Sequence, residues 1–318
     1  MAKENNCKVI SFINMKGGVG KTTLCINTAD NLAQDGNKVL IIDMDPQFNA
    51  TQALLLQMQR LKVNSENSLT ENENIKAELD SSKIYKELSV KGKTVMQLFS
   101  STNPNNDSSN VIQAFSENID FIPGDLDLSS VAAGDTAGKV GTIMEYIMKQ
   151  NLFTYYDYIL IDCPPTWSIL THSSLYASDY YIIPSKIDFY SSIGINSLQN
   201  KINEHFLENF EYLAVAKARN RILKNLGIIF SMTTNLKAEA SIKETVKKDF
   251  EDVPIFLPEI PLIPSASTSF IFYSDVKDNN IYINLTNAFN NFMTIFKEKI
   301  DEKSKVDKGD LKENEKIK

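Results

Sequence analysis

The sequence predicts a doubly wound α/β fold, a mostly parallel sheet flanked by helices on both faces. Three observations carry that expectation. Short apolar runs recur at Val9–Ile13, Val39–Ile42, Ile119–Ile122, Tyr158–Ile161, Tyr180–Ile183 and Gly227–Phe230. Each is apolar nearly throughout rather than in alternation, as parallel strands covered on both faces require. Helical stretches such as Thr22–Gln34 and Lys139–Lys149 stand between most of them, and strand–helix alternation of this kind builds a parallel sheet. The first run passes directly into a glycine-rich loop and then a helix.

One domain over residues 1–300 is enough to hold these elements. It carries a polar insertion at about 57–92, most polar at Asn64–Lys83, which reads as an excursion from the core, partly helical or mobile. Ser100–Asn110 is a second polar loop, and 301–318 reads as a flexible charged tail. With 42% apolar and 23% charged residues the composition is that of a soluble globular protein. No apolar run approaches the roughly 20 residues of a membrane span, and the polar start lacks a signal segment. A cytoplasmic location is expected.

The three cysteines, Cys7, Cys25 and Cys163, are far apart and odd in number, against a disulfide framework or a closed zinc site. His172 and His205 read as structural or surface residues. The net charge of −7 does not favour a permanent nucleic-acid surface, which is usually basic. DNA contact would need a local basic patch or a second state that switches it on.

The chemistry concentrates in three strings. After the first strand comes Lys16-Gly17-Gly18-Val19-Gly20-Lys21-Thr22-Thr23. Small residues there let successive backbone N–H groups curl around phosphate oxygens, and the following helix adds its positive end. Counted as a P-loop, the string has Met15 in place of the first glycine. Lys21 would reach the β- and γ-phosphates, the Thr22 hydroxyl would ligate Mg²⁺, and Thr23 would donate to the α-phosphate. After the second strand, Asp43 and Asp45 in Asp43-Met44-Asp45-Pro46-Gln47 lie on one side of an extended chain. At the carboxyl edge of a parallel sheet that side faces the ligand crevice. Tyr158–Asp162 is a buried strand ending in an acid, and Asp162 would hold Mg²⁺.

Lys16 at the loop start, the KGGVGKT spacing, the DxDPQxNAT string and the turn Asp162-Cys163-Pro164-Pro165 together resemble the deviant Walker A ATPases, ParA and MinD among them. The resemblance covers roughly residues 7–295. It implies ATP and Mg²⁺ as cofactors, Lys16 acting on the nucleotide of a second subunit, Asp45 positioning the attacking water and Asp43 supporting the Mg²⁺ shell. Pro258 falls where the family contacts adenine, although Glu259 replaces the usual arginine. The iron–sulfur relative is set aside, because the cysteines do not fall in bridging loops. A MinD-like protein would carry DxDxxxRN and a C-terminal membrane helix. Here the last residues offer only Val306, Leu311 and Ile317 as apolar contacts, too few for an anchor. Phe289, Phe292, Ile295 and Phe296 form a stripe read as core packing.

What remains resembles the short, Soj-like form of ParA, since the loop starts too early for a helix-turn-helix domain before it. That form implies slow, partner-stimulated ATP hydrolysis, an ATP-bound homodimer, non-specific DNA binding, a ParB-like centromere-binding partner, nucleoid association and no membrane. The candidate DNA patch is Lys217, Arg219, Arg221 and Lys224. If helical, three of these share one face, and an ordinary solvated helix face explains them equally well. Lys243, Lys247 and Lys248 are a second possibility. A MinD-like or cargo-positioning ATPase, acting on membrane or protein cargo, is the alternative, and a nucleotide-binding scaffold without turnover is another.

Overall fold

The computed structural model describes residues 7–63, 70–100, 111–134, 138–234, 237–250, 253–264 and 270–316. Its strands are β1 (Lys8–Phe12), β2 (Val39–Asp43), β3 (Gln113–Ala114), β4 (Ile119–Ile122), β5 (Tyr158–Asp162), β6 (Tyr180–Ser185), β7 (Lys224–Thr233) and β8 (Ile255–Pro261). They form one sheet in the order β3-β4-β2-β5-β1-β6-β7-β8. Only β3 is antiparallel to its neighbour. The six apolar runs of the sequence all lie in strands. The segment that carries Pro258 belongs to β8, which pairs in parallel with β7.

Each strand sends alternate residues into two separate cores, which is why the runs are apolar throughout. Ile10, Ile41 and Leu160 face one core, where α1 (Lys21–Gln34) and α2 (Asn49–Val63) pack. The last helix, α12 (Ile283–Lys316), packs there too and buries Phe289, Phe292 and Phe296. Phe292 meets Phe256 of β8 edge-on, with ring centroids 5.1 Å apart. The aromatic stripe is therefore core. Val9, Leu40 and Ile159 face the other core, against α4 (Met96–Phe99), α5 (Leu128–Ala133), α6 (Thr142–Lys149), α7 (Leu152–Tyr155), α8 (Ile169–Ala177), α9 (Ser191–Ile202), α10 (Phe210–Ala218) and α11 (Lys237–Asp249).

Much of the polar insertion, expected to be partly helical or mobile, is a regular helix, α3 (Glu71–Val90), which Thr70 and Glu73 start with a reciprocal capping box. Only Ala77 of it is fully buried, so its polarity is that of a solvated helix lying on α2. Asn64–Leu69, within that insertion, and Ser101–Asn110 of the second polar loop lie outside the described residues. The backbone of α12 stays helical to Lys316, where the charged composition suggested a tail from 301.

Candidate nucleotide and metal site

The loop between β1 and α1 is built for close backbone approach. Gly18 and Gly20 take positive φ values of 67° and 81°, which glycine adopts without steric cost. Two side chains, one from the loop and one from β7, tie it to neighbouring strands. Asn14 accepts from the Lys16 backbone N–H at 2.9 Å and donates to the Pro184 carbonyl of β6 at 2.8 Å. Ser231 of β7 donates to the Val19 carbonyl at 2.7 Å. Beside the loop opens a cavity of about 690 Å³, lined by Gly17–Leu24, Asp45 and Gln47. Its far wall is apolar, formed by Ile260–Ile263, Phe270 and Tyr273.

Strand register sets the acids. Asp162 pairs directly with Phe12 on one side and Asp43 on the other, so all three stand at the carboxyl edge beside the loop. Asp162 is fully buried, and its Oδ2 accepts from the Thr22 hydroxyl at 2.6 Å. Its Oδ1 is buried with no hydrogen-bond partner. Burial, then the nearby Asp43, push its pKa well above the ordinary carboxylate range. A desolvated carboxylate with one oxygen unfilled, touching a P-loop hydroxyl, is the donor set a Mg²⁺ ion takes. The residues present fit the metal.

Asp43, expected to support the Mg²⁺ shell, is also tied to the turn that follows β2. Its Oδ2 accepts from both the backbone N–H and the hydroxyl of Thr51, at 2.8 and 2.7 Å. Its Oδ1 accepts from the Asp45 N–H at 3.2 Å. Thr51 in turn accepts from the Gly124 N–H at 2.7 Å. Asp43 thus staples the turn that carries Asp45, and its oxygens are already engaged. Asp45 itself lines the cavity. Burial raises its pKa, while the Gln47 N–H, at 2.9 Å, and the charge of Lys21 oppose the rise.

The two lysines separate. Lys21 is 6% exposed, with its ammonium 3.5 Å from the Lys16 carbonyl under the loop. Lys16 points outward from the rim and ion-pairs with Asp188, which follows β6. Both partners of that pair are partly exposed. Asp188 escaped the sequence reading. Its signal was an acid just past the end of a strand, the placement that identified Asp43 and Asp45.

Pro258 and the basic-patch residues are spread over several elements. Pro258 sits within β8, upstream of the Ile260–Ile263 stretch that walls the cavity. Glu259 pairs with Lys243 at 2.6 Å, which takes Lys243 out of the second basic patch. The first patch is not one helix: α10 ends at Ala218, and Lys224 begins β7. Arg221 turns inward, donating to both oxygens of Asp179 at 2.8 and 2.6 Å. Lys217 stays exposed, and Arg219 is partly exposed with its guanidinium 5.3 Å from the Tyr176 ring centroid. Cys163 is buried and its thiol is pushed up to about 12 by burial, which makes it inert. His172 stacks edge-on to Trp167 with centroids 4.7 Å apart. Burial and the neighbouring His205 push its pKa down to about 4.

Residues 7–211 match the AAA domain family. The chain is 32% identical over 256 residues to the sporulation initiation inhibitor protein Soj of Bacillus subtilis, covering 77% of this chain and 81% of Soj. It is 27% identical over 247 residues to the chromosome partitioning protein ParA of Caulobacter vibrioides, covering 77% and 76%. Among solved structures, apo McdA of Cyanothece superposes with a TM-score of 0.64 at 19% identity, over 91% of this chain and 99% of that one. A plasmid partition protein of Borrelia burgdorferi bound to AMPPNP superposes with a TM-score of 0.61 at 22% identity, over 92% and 99%. With the P-loop, the paired acids and the buried Asp162 already in place, the chain belongs to the ParA/Soj family of P-loop ATPases.

Proposed function

We propose that the chain is an ATP-dependent switch of the partitioning or positioning kind, which self-associates over bound ATP and separates on hydrolysis. The observation that carries this reading is the contrast between the two lysines. Lys21 is buried against the phosphate loop of its own subunit, while Lys16 is partly exposed at the rim and pairs with Asp188. A cation on the rim suits the nucleotide of a facing copy, where it would add positive charge as an arginine finger does. Its ion pair with Asp188 is exposed enough to be worth no more than about 1 kcal/mol, so exchanging that partner for a phosphate costs little. Phe189, Tyr190 and Ile193 beside it are 77%, 68% and 63% exposed, and such a patch favours contact with a second copy.

Within each subunit the loop amides and Lys21 hold the β- and γ-phosphates. Thr22 and Asp162 hold Mg²⁺, which supplies charge neutralisation on the phosphate oxygens. Asp45, at the cavity wall, orients the attacking water. The apolar wall of Ile260–Ile263 takes the base. Sequence-indifferent DNA binding by the ATP-bound pair is part of the proposal, carried by the Soj and ParA likeness and by Lys217 and Arg219. A centromere-binding partner that speeds hydrolysis belongs to the same reading.

The test is light scattering and phosphate release with ATP and with ADP. Wild type should dimerise with ATP alone. Lys16→Ala should keep nucleotide affinity within about threefold and lose at least about tenfold in turnover, one lost transition-state contact being worth that much or more. Equal turnover by the two proteins would end the trans-lysine assignment.

A further inference from the structure

Phe48 occupies the turn between Asp45 and α2 with φ of 41°. An L side chain enters that left-handed region at a cost of about 1–2 kcal/mol, and glycine would enter it freely. The phenyl ring is therefore held by something outside the turn. It lies flat on the ring of Tyr85, with centroids 4.3 Å apart and planes 6° from parallel. A pair of this geometry contributes about 0.5–1.5 kcal/mol beyond its burial, the same size as the backbone strain.

Tyr85 comes from α3, within the polar insertion, whose connection to the site no motif announces. Burial and then Asp125 push its pKa up to about 12, while the Leu126 backbone opposes the rise. The ring thus lies between its own helix and the segment after β4. On its other side Phe48 meets Gly124, where an added Cβ would fall 2.9 Å from the Phe48 Cβ and 2.8 Å from the Asp43 Cγ. The turn itself is tied to Asp45. The Phe48 N–H donates to the Asp45 carbonyl at 2.8 Å, and the Gln47 N–H donates to the Asp45 carboxylate at 2.9 Å.

We propose that Phe48 and Tyr85 form a clamp through which the α3 excursion sets the position of Asp45, and that both are positioning residues for hydrolysis. The inference rests on the reading of Asp45 as the water-orienting residue. A displacement of the turn would move that carboxylate within the cavity wall while leaving the phosphate loop, held by Asn14 and Ser231, where it is. The clamp therefore acts on turnover and spares nucleotide binding. Small misplacements of a catalytic group cost rate steeply.

The experiment measures turnover and the Kd for a fluorescent ATP analogue in the full chain. Tyr85→Ala should lower kcat roughly tenfold with Kd within about twofold, and Tyr85→Phe, which keeps the stack, should restore most of the rate. Phe48→Gly should lose as much, because glycine keeps the turn but not the ring. The double variant should lose no more than either single one, as expected of two groups acting as a unit. Should Tyr85→Ala fail to fold, Tyr85→Leu takes its place. Asp45→Ala runs in parallel. If it abolishes turnover while Tyr85→Ala and Phe48→Gly keep wild-type kcat, the clamp is overturned and the ATPase reading stands. If Asp45→Ala turns over normally, the reading beneath the clamp fails first. Loss of nucleotide affinity and melting temperature together in Tyr85→Ala, with additive loss in the double variant, would mark the pair as packing alone.

Discussion

Two buried aspartates at opposite edges of the sheet differ in one respect. Asp179, at the amino edge of β6, has both oxygens occupied: Arg221 reaches each of them, and the Val9 N–H donates to Oδ2 at 2.8 Å. The guanidinium also donates to the Cys7 carbonyl at 3.1 Å and lies 3.9 Å from the Phe153 ring centroid. Asp162, at the carboxyl edge of β5, has one donor on Oδ2 and none on Oδ1. A buried charge whose every lone-pair direction is met holds the fold together. One left half-met stands ready for a ligand. The same residue type closes an ion pair at one edge and keeps an oxygen open, among the described residues, at the other.

The largest effect should come from emptying the satisfied site. Arg221→Ala leaves Asp179 buried without its cation, and such an unpaired charge costs about 3–5 kcal/mol. Urea unfolding would read that loss as a lower midpoint with an unchanged slope. Adding Asp179→Asn should recover a good part of it. A loss below about 1 kcal/mol would mean that the pair is dispensable and that the contrast with Asp162 is not one of architecture.

Asp162→Asn should act the other way on stability. Its folded-state pKa is raised by burial and by Asp43. Below the ordinary carboxylate pKa of about 4 the group is protonated folded or unfolded and carries no penalty. As pH rises from there towards its raised folded value, the unfolded chain releases the proton first and the nucleotide-free protein loses stability. The asparagine variant lacks that proton and should lose less over the same window, so its melting temperature near neutrality should equal or exceed that of wild type. Its Mg²⁺-dependent gain in ATP affinity should fall roughly 100-fold, about 2.7 kcal/mol. Parallel pH profiles and an unchanged Mg²⁺ requirement would show that the open Oδ1 is no ligand.

How much of this was legible follows from where the information sits. The phosphate loop is local: its glycines, lysines and hydroxyls are consecutive, so Lys16 to Thr23 announce it without help from the fold. The strands were legible because burial on both faces leaves a continuous apolar run. Asp43 could be placed at the crevice but not joined to its partner, because Thr51, which donates to it, lies on a helix and is itself held by the Gly124 N–H from the segment after β4. Arg221 misled for the same reason. Spacing from Lys217 fitted a helix face, whereas α10 stops at Ala218 and the partner, Asp179, is 42 residues away. Asp188 and Tyr85 act only through contacts with Lys16 and Phe48, distant in sequence. The helix α3 was legible only in part: Ala77, Ile84, Tyr85 and Leu88, which it turns towards the core, are few against its polar residues, so helix and mobile excursion both stayed open.

The smallest effect tests what is left of the amino-edge basic cluster once Arg221 is withdrawn. Lys217 and Arg219 lie near the end of α10 and, unlike Arg221, make no ion pair with a carboxylate among the described residues. Charge reversal of both, Lys217→Glu with Arg219→Glu, should therefore leave the melting temperature within about 2 °C of wild type, where Arg221→Ala lowers it strongly. If these residues meet phosphates in the ATP-bound pair, binding to unrelated duplexes should weaken about tenfold at moderate salt. The dependence of log affinity on log salt should become shallower by nearly one for each contact removed. A common loss at all sequences, with the shallower slope, would place DNA at this edge, opposite the nucleotide. Unchanged affinity and slope would leave the amino edge purely architectural and send the search for a DNA surface back to the rim that carries Lys16, Phe189 and Tyr190.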